Sequence, residues 1–319
     1  MRKRMVLAGL VCVGLTVTAC SGEGDGGAKT PDGSGSPAAA NPLAAVEWVE
    51  GDSPSLDFAK PFNLNQPSAS RVAKAGDGAE VKPGDLVLMD YALFGGLDGS
   101  LQASTYEGGP PDAYIVTEQP TDGDYIREAI NGQKVGAQVV LSFTTPGQAA
   151  ANADGSASPA PDDTYLVALS IKKAQPMLKS AEGEALTPDQ PGLPTVSFGE
   201  DGKPSIAIPE GAEPPAELVS QRLIEGTGPA VAADQAVGVN YAGWLWDGTQ
   251  FDSSWERGAP TAFFLSGVVQ GWAQGLTGVP VGSRVLLVVP PELGYKDQDM
   301  GTIPPNSTLV FVVDILAAA

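Results

Sequence analysis

The chain has 319 residues, a length that suggests two domains at a prior of about 150 residues each. It contains no histidine and only two cysteines, which excludes a Ser-His-Asp or Cys-His nucleophile system and a His/Cys zinc site. Against 38 acidic residues stand 18 basic ones, a formal net charge of -20, with no basic stripe to neutralise a phosphate backbone, so nucleic acid is excluded as a partner.

At the amino terminus, Arg2, Lys3 and Arg4 precede an apolar run from Met5 to about Thr18. The run is too short to span a bilayer and has the length of a signal-peptide core. It ends in Val17-Thr18-Ala19-Cys20, small residues before a cysteine, which resembles the lipobox of bacterial lipoproteins. That resemblance implies that residues 1–19 are removed, that Cys20 carries the lipid, and that the protein is extracytoplasmic, held at the bacterial cell membrane by this anchor only. Residues 21–45 are rich in Gly, Ser, Pro and Ala with no hydrophobic period, so 20–45 reads as a flexible tether. Such a segment has a root-mean-square reach of roughly 25 to 30 Å.

The rest of the chain repeats itself. Pro54-Ser55-Leu56 matches Pro204-Ser205-Ile206, Gly76 and Gly78 match Gly226 and Gly228, and Tyr91 matches Tyr241, all at one offset. Further on, Asp98-Gly99 matches Asp247-Gly248, Gly132 and Gly136 match Gly278 and Gly282, and Thr164 matches Thr308, in unbroken order. Two large copies mean a duplicated domain; a solenoid needs more and shorter units. The expected division is a first domain over 46–175, a linker rich in Pro, Gly and acidic residues over 176–191, and a second domain over 192–319.

In the second copy, residues 237–244 alternate as a half-buried strand does, 284–289 form a continuous apolar run, and 309–315 form another strand. The best helix signal, near 269–276, is at most two turns, bracketed by glycines, with Trp272 and Leu276 on one face. Many strands and one short helix predict an α+β fold, and the closely spaced turns favour antiparallel pairing. Aromatic residues crowd this half, and Trp and Tyr beside a charged pair are what an apolar pocket with polar handles needs.

The ordered motifs Val239-Asn240-Tyr241-Ala242-Gly243, Asp247-Gly248, Phe251-Asp252-Ser253-Ser254, Arg257-Gly258-Ala259-Pro260, Gly271-Trp272 with Gly275-Leu276, Val281-Gly282-Ser283-Arg284, Pro290-Pro291 with Gly294-Tyr295, and Ile303-Pro304-Pro305 with Thr308 to Phe311 resemble the FKBP-type peptidyl-prolyl isomerases. The resemblance covers residues 226–319. It implies an antiparallel half-barrel sheet wrapping a short helix, duplicated here, with a slot between them for a proline ring. Position by position, Trp272 is expected as the pocket floor, with Tyr241, Phe251, Val268, Val269, Ile303 and Phe311 as walls. The Tyr295 hydroxyl and the Val269 N–H are expected to meet substrate carbonyls, and Asp252 to line the pocket, oriented by Arg257. No cofactor and no metal is implied, since rotation about an Xaa-Pro bond breaks no covalent bond. The implied partners are Xaa-Pro segments of unfolded or exported proteins.

Three departures concern the macrolide immunosuppressants that the family binds. Thr261 stands where an aromatic usually follows the proline of the Arg-Gly-x-Pro segment, the stretch between Leu265 and Val268 is shorter than in many members, and the loop 296–302 has no aromatic or histidine to cap the pocket. Macrolide binding stays open on these residues, and so does a rival reading as a non-catalytic chaperone or ligand-binding lipoprotein on the same fold. In the first copy Tyr91 remains, but Leu101-Gln102 are expected to replace Phe251-Asp252, Ile126 to replace Trp272 and Val167 to replace Phe311, with a Gly/Ala/Ser/Pro run over 146–161 in place of Tyr295. The first domain is therefore expected to keep the fold without the activity.

Overall fold

The computed structural model describes residues 41–147, 150–151, 157–158, 163–187, 190–200 and 202–319. The signal-peptide and Cys20 readings lie outside them, as does the tether up to residue 40.

The first sheet is built from β1 (Ser68–Lys74), β2 (Asp85–Gly95), β3 (Leu101–Ser104), β4 (Asp112–Ile115), β5 (Gln138–Thr145) and β6 (Asp163–Pro176), with helix α1 (Tyr125–Ile130) between β4 and β5. The second is built from β7 (Gly183–Ala185), β8 (Val219–Gly226), β9 (Ala236–Leu245), β10 (Gln250–Ser253), β11 (Thr261–Phe264), β12 (Arg284–Val289) and β13 (Leu309–Ala318), with short helices α2 (Ser254–Arg257) and α3 (Gln270–Leu276). Strand order is β1-β5-β6-β2-β3 in one and β7-β8-β12-β13-β9-β10 in the other, with β4 on β2 and β11 on β9. Every pairing is antiparallel, and apart from β7 the two orders coincide, so the sequence repeat is a repeat of an α+β fold.

The long strand β9 takes one partner, β13, along one side and divides the other side between β10 and β11. At the changeover the Tyr241 N–H donates to the Ser254 hydroxyl at 2.8 Å, and that hydroxyl bonds Asn240 Oδ1 at 3.1 Å. The first sheet repeats the device, with Tyr91 N–H on Thr105 Oγ1 at 3.0 Å and Thr105 Oγ1 on Asp90 Oδ1 at 3.0 Å. A small hydroxyl side chain thus satisfies a buried donor that the ladder leaves unpaired.

Each sheet carries apolar side chains on both faces. One face holds the helix and the main core, which in the second sheet gathers Val237, Val239, Leu276, Val285, Leu287, Val313 and Ile315. The other face is covered by a two-stranded ribbon, Glu47–Val49 with Ser55–Asp57 in the first unit and Thr195–Phe198 with Pro204–Ala207 in the second. Because Leu193, Val196 and Ile206 cover Ala242, Trp244 and Val312, β9 is buried almost without interruption, where its sequence suggested alternation.

Helix α3 contains Gly271 and Gly275, residues that each cost a helix about 1 kcal/mol relative to alanine. The reason is proximity. A Cβ on Gly271 would stand 2.4 Å from Val289 Cγ1, and one on Gly275 would stand 2.6 Å from Leu287 Cδ2. The helix lies down on β12 at these two points, and the Ser220 hydroxyl pins it by donating to the Gly275 carbonyl at 2.7 Å.

The stretch expected as a linker is hydrogen-bonded along the second sheet. Leu178 N–H donates to Leu316 O at 3.0 Å, Ala181 N–H to Asp314 Oδ2 at 3.2 Å and Glu182 N–H to Gly282 O at 2.9 Å, after which β7 pairs with β8. Asp314, 1% exposed, is held by Arg284 through a two-pronged contact at 2.6 and 2.7 Å, and the Phe198 ring lies 3.9 Å from the guanidinium carbon.

Candidate active site

Helix α3 delivers Trp272, 4% exposed, into the space between the helix and the second sheet. Its ring stands edge-to-face with three others: Tyr241 from β9 at 5.3 Å and 87°, Phe263 from β11 at 5.7 Å and 81°, and Phe311 from β13 at 5.3 Å and 89°. Phe251 from β10 continues the set against Phe311 at 5.7 Å and 87°. Gly243 permits this, since a Cβ there would lie 2.6 Å from Phe251 Cζ and 2.9 Å from Phe311 Cε1. Each perpendicular pair contributes roughly 0.5–1.5 kcal/mol beyond simple burial, so the rings hold one another at fixed angles.

Above this floor lies a cavity of about 350 Å³ lined by Tyr241, Phe251, Asp252, Phe263, Gly267, Val268, Val269, Trp272, Tyr295 and Phe311. Most residues expected at the slot therefore meet around one hollow. Ile303, also expected as a wall, is 6% exposed and belongs to the same apolar cluster as the rings, but it is not among the lining residues. Arg257 reaches the site through its guanidinium without lining the hollow.

Two residues were missed by sequence reasoning. Phe263 is one of two adjacent phenylalanines on a four-residue strand, and only the pairing of β11 with β9 decides which faces Trp272. Gly267, at the end of the turn Leu265–Gly267, gave no signal.

The polar handles occupy one rim. Tyr241 Oη donates to Asp252 Oδ2, Arg257 Nη1 bonds the other Asp252 oxygen, and Arg257 Nη2 reaches Tyr241 Oη at 3.1 Å and Thr261 Oγ1 at 3.3 Å. The guanidinium carbon also lies 5.4 Å from the Tyr241 ring centre. Burial, reinforced by the hydrogen bond to the Asp252 carboxylate, pushes the Tyr241 phenol up to about 12, so it stays protonated and donating. The Asp252 and Arg257 side chains are 37% and 46% exposed, so the ion pair itself is worth only ~0–1 kcal/mol. Its effect is geometric: it fixes the tyrosine that forms one wall.

Two donors face the cavity unused. Among the described residues, neither the Tyr295 hydroxyl nor the Val269 N–H has a hydrogen-bond partner, and both residues line the hollow. Val269 precedes α3 as its N-cap, while its carbonyl accepts from Trp272 N–H at 3.0 Å.

In the first sheet the corresponding positions hold different groups. Strand register aligns Val167 with Phe311, since they pair with Leu93 and Gly243, each two residues beyond the matched tyrosine. Ile126, buried on α1, takes the place of Trp272. The expectation that Leu101-Gln102 replace Phe251-Asp252 is off by one. Leu93 pairs with Ala103 as Gly243 pairs with Asp252, so Gln102 and Ala103 occupy those positions. The hairpin before them carries one more residue in the first copy, which a fixed offset from Tyr91 overlooks. Tyr114 stands where Phe263 does, its hydroxyl 2.6 Å from both oxygens of Asp124, the N-cap of α1. The run 146–161 lies largely outside the described residues.

An aromatic hollow thus lies between an antiparallel sheet and a short helix, with one tyrosine-carboxylate-guanidinium set at its rim. The family of FKBP-type peptidyl-prolyl cis-trans isomerases matches residues 228–316. A protein of Streptomyces anulatus described as "FK506-binding protein" is 43% identical over 120 residues, which cover 36% of this chain and 96% of the relative. The Escherichia coli K12 isomerase FkpA is 48% identical over 99 residues, covering 31% of this chain and 37% of the relative. The crystal structure of E. coli FkpA aligns with 39% identity over 40% of this chain and 52% of that one, with a TM-score of 0.32. The chain belongs to the FKBP-type peptidyl-prolyl cis-trans isomerase family, and is an isomerase of proline-containing protein chains.

Proposed function

We propose that the cavity of the second sheet is the catalytic site and that it turns over Xaa-Pro bonds in proteins folding outside the cytoplasm. The observation that supports this most is the convergence of five rings, joined by edge-to-face contacts, and two unpaired donors on one hollow. The prolyl ring would sit on Trp272 between Tyr241, Phe251, Phe263 and Phe311. The Tyr295 hydroxyl and the Val269 N–H would then donate to carbonyls flanking it.

The uncatalysed barrier of ~18–20 kcal/mol comes from amide resonance, which places negative charge on the carbonyl oxygen that water stabilises. In a dry aromatic slot that stabilisation is lost from the planar form, while the twisted form, less charge-separated, loses less. Donors that fit only the twisted geometry widen the difference. Lowering the barrier by ~7 kcal/mol gives about 10⁵-fold. No proton need change hands, so Asp252 and Arg257 act as fixed supports of Tyr241.

The location follows from the sequence. Arg2, Lys3 and Arg4, the apolar run and Cys20 propose export and lipidation, with the two domains on a tether. Acyl labelling that persists in Cys20→Ser would remove the anchor from this reading. A macrolide of the kind for which the Streptomyces relative is named would compete for the same hollow, and inhibition that proline peptides do not relieve would place it elsewhere. The direct test is acceleration of cis-trans exchange in an Ala-Pro or Leu-Pro peptide by the full chain. With the protein folded, no acceleration leaves the non-catalytic chaperone reading.

A further inference from the structure

The pocket wall that carries Phe263 rests on the other repeat. Strand β11 has four residues and, among the described residues, pairs with β9 alone, through residues 236–239. A short edge strand bonded on one side is the kind of segment that opens first. Its two faces have different neighbours: Phe263 points to Tyr241 and Trp272, while Ala262 and Phe264 join an apolar cluster with Leu86, Leu88, Ala113 and Ile115 of the first sheet.

That cluster is complementary in size. The second sheet contributes small residues, Ala236, Ala262, Ala317 and Ala319, against the leucines of β2. At Gly238 a Cβ would stand 2.9 Å from Met177 Sδ, so the glycine makes room for the methionine that enters the same cluster. Leu86 is completely buried and Leu88 is 8% exposed, while Ile115, Ala262 and Phe264 are partly buried against them. Met177 N–H donates to Gly84 O at 3.3 Å on one side and Leu178 N–H to Leu316 O at 3.0 Å on the other, which ties the sheets together at the cluster's edge. Relative motion is the default for domains within a chain unless their interface is large and hydrophobic, and this contact is apolar throughout.

We infer that Leu88 and Ile115 of the first repeat are positioning residues for the isomerase pocket of the second, bracing β11 from behind so that Phe263 keeps its edge against Trp272. The inference rests on the pocket assignment above. It gives the first repeat, which lacks Trp272, Phe251 and Asp252 at the matching positions, a part in the reaction through the other repeat's wall.

The test uses the full chain with Leu88→Ala and Ile115→Ala combined, assayed in the cold where the chain is folded by circular dichroism. Tryptophan is replaced by 5-fluorotryptophan, and the Trp272 fluorine resonance is assigned from Trp272→Phe. We expect kcat/KM on a Leu-Pro peptide to fall about tenfold, the size of loss that a misplaced wall rather than a lost group produces. The Trp272 resonance should move with it, and the conservative pair Leu88→Met and Ile115→Val should restore both. Wild-type activity in the alanine pair, or lost activity with an unmoved resonance, overturns the inference. If the alanine pair does not fold, Leu88→Val alone is read by the same two signals, expected to move in the same direction by less, and no movement there overturns it equally. Trp272→Ala is measured alongside. If it loses activity while the alanine pair does not, only the bracing fails; if it keeps full activity, the pocket assignment fails and the bracing with it.

Discussion

Replacing Gly271 by alanine sets two effects of known size against each other. Intrinsic helix propensity favours alanine by about 1 kcal/mol. The new Cβ, however, would stand 2.4 Å from Val289 Cγ1, 2.7 Å from its Cγ2 and 3.1 Å from its Cβ. Val289 is completely buried and β-branched, so it has no free rotamer to swing into. Ordinary carbon contact begins near 3.5 Å, and α3 must therefore lift from β12 by about 1 Å. Overpacking of this kind costs roughly 1–3 kcal/mol, which cancels or exceeds the propensity gain. The next residue along the helix is Trp272, so the lift tilts the pocket floor under its three partner rings. A displacement near 1 Å can cost up to about 10²-fold in rate. Urea unfolding should show a net loss of up to about 2 kcal/mol, and peptide assays a fall of at least about tenfold in kcat/KM with KM raised. A variant more stable than the parent with unchanged activity would refute the close-approach argument.

Other expectations follow from the same contacts. Arg284→Met leaves the Asp314 carboxylate, 1% exposed, without its cation and should destabilise by about 3–5 kcal/mol in urea, whereas adding Asp314→Leu should recover most of that loss. Tyr241 has its phenol raised to about 12, above its unfolded value near 10, so its contribution is complete below pH 10 and is lost as pH rises towards 12. Tyr241→Phe should flatten that part of the alkaline unfolding curve, and an unchanged curve would contradict the assigned cause. Arg257→Ala should change stability by no more than ~1 kcal/mol because the pair is half exposed, while lowering kcat/KM several-fold through a freed Tyr241; a large stability loss in thermal unfolding would contradict this. Tyr295→Phe removes one donor and should lower kcat modestly, by less than Phe251→Ala does in the same assay.

The second repeat's pocket residues were expected from the resemblance of its ordered motifs to the FKBP-type family. Tyr241, Phe251, Trp272, Tyr295 and Phe311 meet at one hollow as their motifs suggested. What escaped depended on pairing. Phe263 and Phe264 are neighbours with equal hydrophobicity, and only the register of a four-residue strand sends one to the pocket and the other to the first sheet. Ile303, expected as a wall from the family resemblance, packs in the same apolar cluster as the rings but is not among the residues that line the hollow. The slip at Gln102 and Ala103 arose from one extra residue in a hairpin tip, where length is unconstrained by the core. The stretch 176–191 reads as a spacer by its Pro, Gly and acidic content, but Leu178, Ala181, Glu182 and Leu186 within it donate their N–H groups to the second sheet, something composition does not encode.

The central claim is that the aromatic hollow of the second sheet performs the isomerisation. Exchange spectroscopy on a Leu-Pro peptide reads it directly, through the cis-trans cross-peaks that grow in only when exchange is fast, with the full chain compared against a folded Phe251→Ala variant. The account predicts strong cross-peaks with the native chain and severely weakened ones with the variant. Equal cross-peaks from both proteins would contradict it.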